Sequence, residues 1–165
     1  VLSHVLNHIK SQLTIETEVY SDLQGWQING GTIPADILVS CGKGSKPDIV
    51  LIDRSRKKIL MLELTCSLPQ STTSAHNKKQ TDYTQLKLSL EELGYAVSLL
   101  PFEVCSNGHI TSKNKQDMSK VLNIFNVRLK TQIFTELAKI SLLCSMSIFH
   151  AYQTTEWTSP PLLSP

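Results

Sequence analysis

Two apolar runs, Ile49-Val50-Leu51-Ile52 and Ile59-Leu60-Met61-Leu62, lie on either side of a polar, basic turn, Arg54-Ser55-Arg56-Lys57-Lys58. Short apolar segments bounding a tight polar turn predict a β-hairpin. Asp48, just after Pro47, opens the first strand, and Glu63 closes the second. Antiparallel pairing then brings two carboxylates that are distant in sequence to the same end of the hairpin.

The flanking sequence supplies the layers that a strand pair needs. Leu2, Val5, Leu6, Ile9 and Leu13 recur at helical spacing, and residues 17–23, with Val19 and Tyr20, predict a strand. Gly25, Gly30, Gly31 and Pro34 punctuate a loop region reaching about residue 45. After the hairpin, Ser71 to Ser74 offer N-caps for a helix over residues 75–93, which Gly94 stops. Its apolar stripe, Tyr83, Leu86, Leu90 and Leu93, extends back onto Lys79 and Ala75, with Lys78 pointing about 100° away. A strand follows over residues 95–104, in which Pro101 predicts an edge or a kink. Residues 115–152 lack Gly and Pro and carry a helical stripe from Leu122 to Ile148. One helix of that length would overshoot a compact domain, so two are expected, with a break over residues 126–131. The expected class is α/β (α+β), a mixed central sheet flanked by helices in the order α-β-β-β-α-β, then C-terminal helices. We expect one domain over residues 1–153 and a flexible Ser/Thr/Pro-rich tail over 154–165.

A formal net charge of +2 neither demands nor excludes a nucleic-acid partner, because a local basic patch suffices. Cys41, Cys66, Cys105 and Cys144 are scattered without a CxxC pair, which argues against zinc and favours a reducing, intracellular setting. The start at Val1 suits an excised domain or a trimmed product, and no signal peptide is visible. The apolar segment 140–149 is too short to span a bilayer, so no membrane partner is expected.

Hydrolysing a phosphodiester without a covalent intermediate requires an activated water and neutralisation of the charge on phosphorus. Mg²⁺, for which Mn²⁺ can substitute, does both and prefers carboxylate, carbonyl and water oxygens. Asp48 and Glu63 are candidate ligands of this kind, and the backbone carbonyl of Leu64 could add another oxygen. Asp22 could approach as a further ligand, or instead form an Asx turn leading to Gly25. Glu18 is a weaker candidate of the same type. Taken singly, Asp48 reads as a turn cap and Glu63 as a polar strand end. Together with an inward-facing Lys79 they favour a site, in which the ammonium would orient water or stabilise charge. Lys79 could equally snorkel beside Tyr83, and Lys78 would replace it if the helix were rotated. Thr65 and Gln85 could hydrogen-bond nearby. Arg54, Arg56, Lys57 and Lys58 fall at the wrong end of the hairpin and read as a solvated turn. Lys43 and Lys46 are better placed to meet a phosphate, while Lys113, Lys115 and Lys120 could contact phosphates from the C-terminal helices.

At these residues the sequence resembles the PD-(D/E)XK nuclease superfamily, the restriction-endonuclease-like fold: Pro47-Asp48, a hairpin, then Glu63-Leu64-Thr65. Thr65 stands where that motif has lysine. In some branches the lysine comes from the following helix, where this chain has Lys79, and the Lys79/Tyr83 spacing resembles a Gln-x-x-x-Tyr helix motif. The run with His76, Lys79, Tyr83 and Leu86, then Pro101-Phe102-Glu103-Val104, looks like nuclease-like domains of mobile-element (retrotransposon) reading frames. The resemblance implies a Mg²⁺- or Mn²⁺-dependent DNA endonuclease with Asp48, Glu63, Lys79 and Tyr83 as catalytic residues. By their positions, Lys43, Lys46, Lys78 and His76 are the candidate DNA contacts, although a surface histidine at a helix start is the default reading of His76. The resemblance also implies a nuclear site of action, with a homodimer or a polyprotein carrying a reverse transcriptase as the setting. The rival readings are a nuclease-like fold that has lost catalysis and serves as a DNA-binding or assembly module, and an interaction domain dimerising through its C-terminal helices.

Overall fold

The computed structural model describes residues 1–13, 16–21, 46–129 and 131–153. The elements run α1 (Leu2–Lys10), β1 (Thr17–Ser21), β2 (Ile49–Asp53), β3 (Lys58–Ser67), a 3₁₀ turn (Pro69–Ser71), α2 (Thr72–Asp82), α3 (Thr84–Glu92), β4 (Ala96–Cys105), α4 (Ser112–Asn123) and α5 (Thr131–Gln153). The fold is α+β, a mixed four-stranded sheet in the order β1-β2-β3-β4. β1/β2 and β2/β3 are antiparallel, whereas β3/β4 is parallel and joined through the helical crossover of α2 and α3.

The hairpin forms as its sequence requires. β2 is buried along its whole length, as expected of a continuous apolar strand covered on both faces. At the turn, Lys57 adopts a left-handed conformation (φ 49). The Asp53 carboxylate ties the turn by accepting from Ser55 Oγ at 2.7 Å and the Arg56 N–H at 2.9 Å. The register pairs Asp53 with Lys58 and Ile49 with Leu62, so Asp48 continues opposite Glu63.

Side-chain alternation divides the sheet's surroundings into two cores. On one face Ile49, Leu51, Leu60, Leu62, Phe102 and Val104 pack with Leu6 and Ile9 of α1, Met118 and Leu122 of α4, and Leu137 of α5. On the other, Val50, Ile52, Ile59, Met61 and Val97 meet Tyr83 and the α3 residues Leu86 and Leu90. Each fully buried aliphatic side chain contributes roughly 1.5–3 kcal/mol of transfer free energy.

The helix expected over residues 75–93 is two helices that begin earlier, at Thr72, and divide at Tyr83 (φ −101, ψ 2). No Gly or Pro marks the division; it falls where the Tyr83 ring is buried and its hydroxyl tied down. α2 buries no residue completely, whereas α3 carries the apolar stripe. Leu93, expected within that stripe, caps α3 and is exposed, and Gly94 follows at φ +84. The C-terminal run does contain the expected break, with α4 ending at Asn123, Asn126 at φ 61 and α5 starting at Thr131. β4, carrying Pro101, pairs with β3 alone among the described strands. α5 is longer than the apolar stretch at 140–149 suggests, and by length and composition it could cross a membrane. Its first half is a core helix through Ile133, Phe134, Leu137 and Ser141, whereas Leu143, Met146 and Phe149 are exposed.

Candidate metal centre

Asp48 and Glu63 meet at the open end of the hairpin, each holding the other's neighbourhood. The Asp48 N–H donates to Glu63 Oε2 at 3.2 Å, and the Leu64 N–H donates to Asp48 Oδ2 at 2.8 Å. In an extended strand the N–H and C=O of one residue point to the same side. The Leu64 carbonyl therefore faces the Asp48 side of β3, away from β4, at a level beyond the last β2 pairing at Ile49.

Glu63 is only 5% exposed, so its charge needs partners. Helix α2 and the Tyr83 junction supply them. Lys79 Nζ donates to Glu63 Oε1 in a close ion pair. Tyr83 Oη lies 2.9 Å from Glu63 Oε2 and 3.0 Å from the Lys46 carbonyl. Burial first, then the Glu63 charge and hydrogen bond, push the Tyr83 phenol well above its ordinary range. Its hydroxyl donates to the Glu63 carboxylate.

One turn before Lys79, His76 Nδ1 lies 2.9 Å from Glu103 Oε1. Glu103, 1% exposed, also accepts from Asn114 Nδ2 through Oε2 at 2.9 Å and through its backbone carbonyl at 3.1 Å. Glu103 lies opposite Thr65 in the β3/β4 ladder, on the same sheet face as Glu63. Among the described residues, Thr65 Oγ1 is the one buried side-chain oxygen or nitrogen without a hydrogen-bond partner.

The remaining candidates scatter. Lys78 and Gln85 are exposed, and Lys46 is exposed with its carbonyl in the site. Glu18 is at the other end of the sheet, opposite Ile52, where Arg54 and Tyr20 hold its carboxylate. Arg54 and Arg56 pair with Glu18 and Asp53 around the hairpin turn. Asp22 and Lys43 lie outside the described residues. Glu103 falls in the run Pro101-Phe102-Glu103-Val104 but had no role assigned to it there, and Asn114 belongs to no motif. A lone carboxylate at an inward position of an apolar strand was the available signal for Glu103, and Asn114 had none.

No group of three or more His, Cys, Asp or Glu side chains gathers among the described residues. Two carboxylates beside a strand carbonyl nevertheless suit Mg²⁺, which keeps several waters and takes one or two protein carboxylates. In this structure the Lys79 ammonium sits on Glu63 Oε1. The donor chemistry is of the kind Mg²⁺ takes, and the partners now on Glu63 and on Asp48 Oδ2 are Lys79, Tyr83 and backbone N–H groups.

No protein-family model and no curated protein sequence matches the chain. Among solved structures it is similar to an N-terminal domain of a reptarenavirus L protein, at 17% identity and a TM-score of 0.41, over 86% of this chain and 73% of that one.

Proposed function

We propose that the chain is a divalent-metal-dependent nuclease that hydrolyses phosphodiester bonds endonucleolytically, with DNA as its substrate. The observation that carries this reading is the convergence on one hairpin end of Asp48, Glu63, the Leu64 backbone, Lys79 and Tyr83, from segments far apart in sequence. Asp48, Glu63 and the Leu64 carbonyl would hold Mg²⁺ or Mn²⁺, which when bound supplies Lewis-acid activation of water and neutralisation of phosphate charge. Tyr83 and the Asp48 N–H fix the Glu63 carboxylate before any ligand arrives. Lys79, on the same carboxylate, can swing its ammonium to the attacking water or to the charge that builds on the phosphate oxygens.

The test is a cleavage panel of supercoiled, duplex, single-stranded and branched DNA, with single-stranded RNA beside them, in Mg²⁺ and in Mn²⁺. The Glu63→Gln variant should lose at least roughly 10³-fold in rate. Cleavage of RNA alone would keep the metal centre and overturn DNA as substrate, and equal cleavage by Glu63→Gln would overturn the centre itself. A second reading, a binding or assembly module that has lost catalysis, is supported by the unpartnered Thr65 in the position of the motif lysine. Mn²⁺ titration followed by calorimetry separates the two, since only the nuclease reading requires Glu63-dependent metal binding.

A further inference from the structure

One face of α2 and its junction presents His76, Lys79 and Tyr83 at intervals of three and four residues, and each meets a buried acid of the sheet. Lys79 and Tyr83 serve Glu63, but His76 serves a different carboxylate, that of Glu103 on β4. The two acids stand on the same sheet face, one strand across and two residues along, so their Cα atoms are roughly 8 Å apart by strand geometry. A carboxylate offers only acceptors, and so Nδ1 is the nitrogen of His76 that carries the shared proton. Nε2 is left as the outer ring nitrogen, with no partner among the described residues, on a side chain 28% exposed above an acid that is 1% exposed. Glu103 itself is clamped by Asn114, so the ring is held from behind by β4 and α4 together.

We infer that His76 is a substrate contact of the same centre: Nε2, when protonated, donates to a backbone phosphate within about one nucleotide of the scissile one, and Glu103 and Asn114 are positioning residues that hold the ring. This rests on the nuclease reading and adds a phosphate subsite to it. A purely structural dyad is the competing explanation, and the two differ in which ring nitrogen matters.

Asparagine can reproduce the Nδ1 donor to Glu103 but has nothing at Nε2, so His76→Asn separates the roles. The probe is a short fluorescein-labelled single-stranded DNA, with an RNA of the same sequence beside it, bound by the full chain in EDTA and followed by anisotropy. The expected result is about tenfold weaker binding by His76→Asn with an unchanged thermal midpoint. In cleavage assays it should raise KM more than it lowers kcat. Glu103→Gln, which keeps an acceptor for Nδ1, should weaken binding less, again through KM. Parent-like affinity and KM in His76→Asn overturn the inference and leave the nuclease reading standing. His76-dependent binding without cleavage by the parent keeps a phosphate contact at Nε2 but overturns the nuclease reading and, with it, the placement beside a scissile phosphate. Absence of binding to either oligonucleotide overturns the subsite.

Discussion

The two ends of the β2–β3 hairpin each bury a carboxylate, and they do so by different means. Asp53, at the turn, is satisfied by residues two and three positions later: the Ser55 hydroxyl, the Arg56 N–H and the Arg56 guanidinium at 3.1 Å. Glu63, at the open end, takes its partners from Asp48, Lys79 and Tyr83, which lie fifteen to twenty residues away in sequence. A carboxylate closed by its own turn secures a local conformation. One that gathers a lysine, a phenol and the backbone beside a second acid joins separate elements, and in the proposed nuclease this is the end that would take the metal ion. On the proposed function the turn end contributes stability and the open end chemistry, a division that substitutions can test.

The strongest challenge to that division is Lys79→Met. Removing the ammonium at the open end should lower the cleavage rate by roughly 10²–10³-fold with little change in KM, measured at saturating Mg²⁺. A variant that cleaves like the parent would reduce Lys79 to a charge-balancing residue. Tyr83→Phe acts on both properties, because the lost hydroxyl serves Glu63 and the Lys46 carbonyl from a buried position. We expect a loss of roughly 1–3 kcal/mol in urea denaturation.

Asp53→Asn should affect stability alone, by roughly 1–2 kcal/mol at pH 7, with cleavage unchanged. Here pH adds a second reading. The Arg56 N–H, opposed by burial and assisted by Ser55 and by the charges of Arg56 and Lys58, holds the Asp53 carboxyl below its ordinary value. The unfolded chain therefore takes up this proton first as pH falls. Its contribution is complete well above the unfolded value of about 3.9 and is lost as pH falls through the lower folded value. Parent and Asp53→Asn should thus converge in denaturation midpoint only in strong acid. The smallest effect belongs to Thr65→Val. Its hydroxyl already lacks a partner, so stability should change by no more than about 0.5 kcal/mol, and any change should be favourable. A clear destabilisation would mean that Thr65 has a partner in solution.

Much of this arrangement was legible in the chain because it follows from local patterns, two apolar runs about a polar turn and a helical stripe. Antiparallel pairing of two apolar runs places Asp48 opposite Glu63 whatever surrounds them, and the stripe from Leu86 to Leu90 identifies the buried face of α3. The division of the helix at Tyr83 was not legible, because it has no breaking residue and coincides with contacts to the sheet. Glu18 looked like a possible ligand until strand register placed it beside Arg54.

The sequence by itself determined the hairpin and the shared end of its carboxylates, because two apolar runs of equal length joined by a tight turn leave little choice of pairing. Only the tertiary structure decided which cations and donors those acids receive. Whether Lys79 or Lys78 faces the sheet, and whether His76 meets Glu103, depends on how α2 is rotated and docked. A helix with hardly any apolar stripe does not settle its own rotation; the buried charges of Glu63 and Glu103 do, because each must be paired to remain inside.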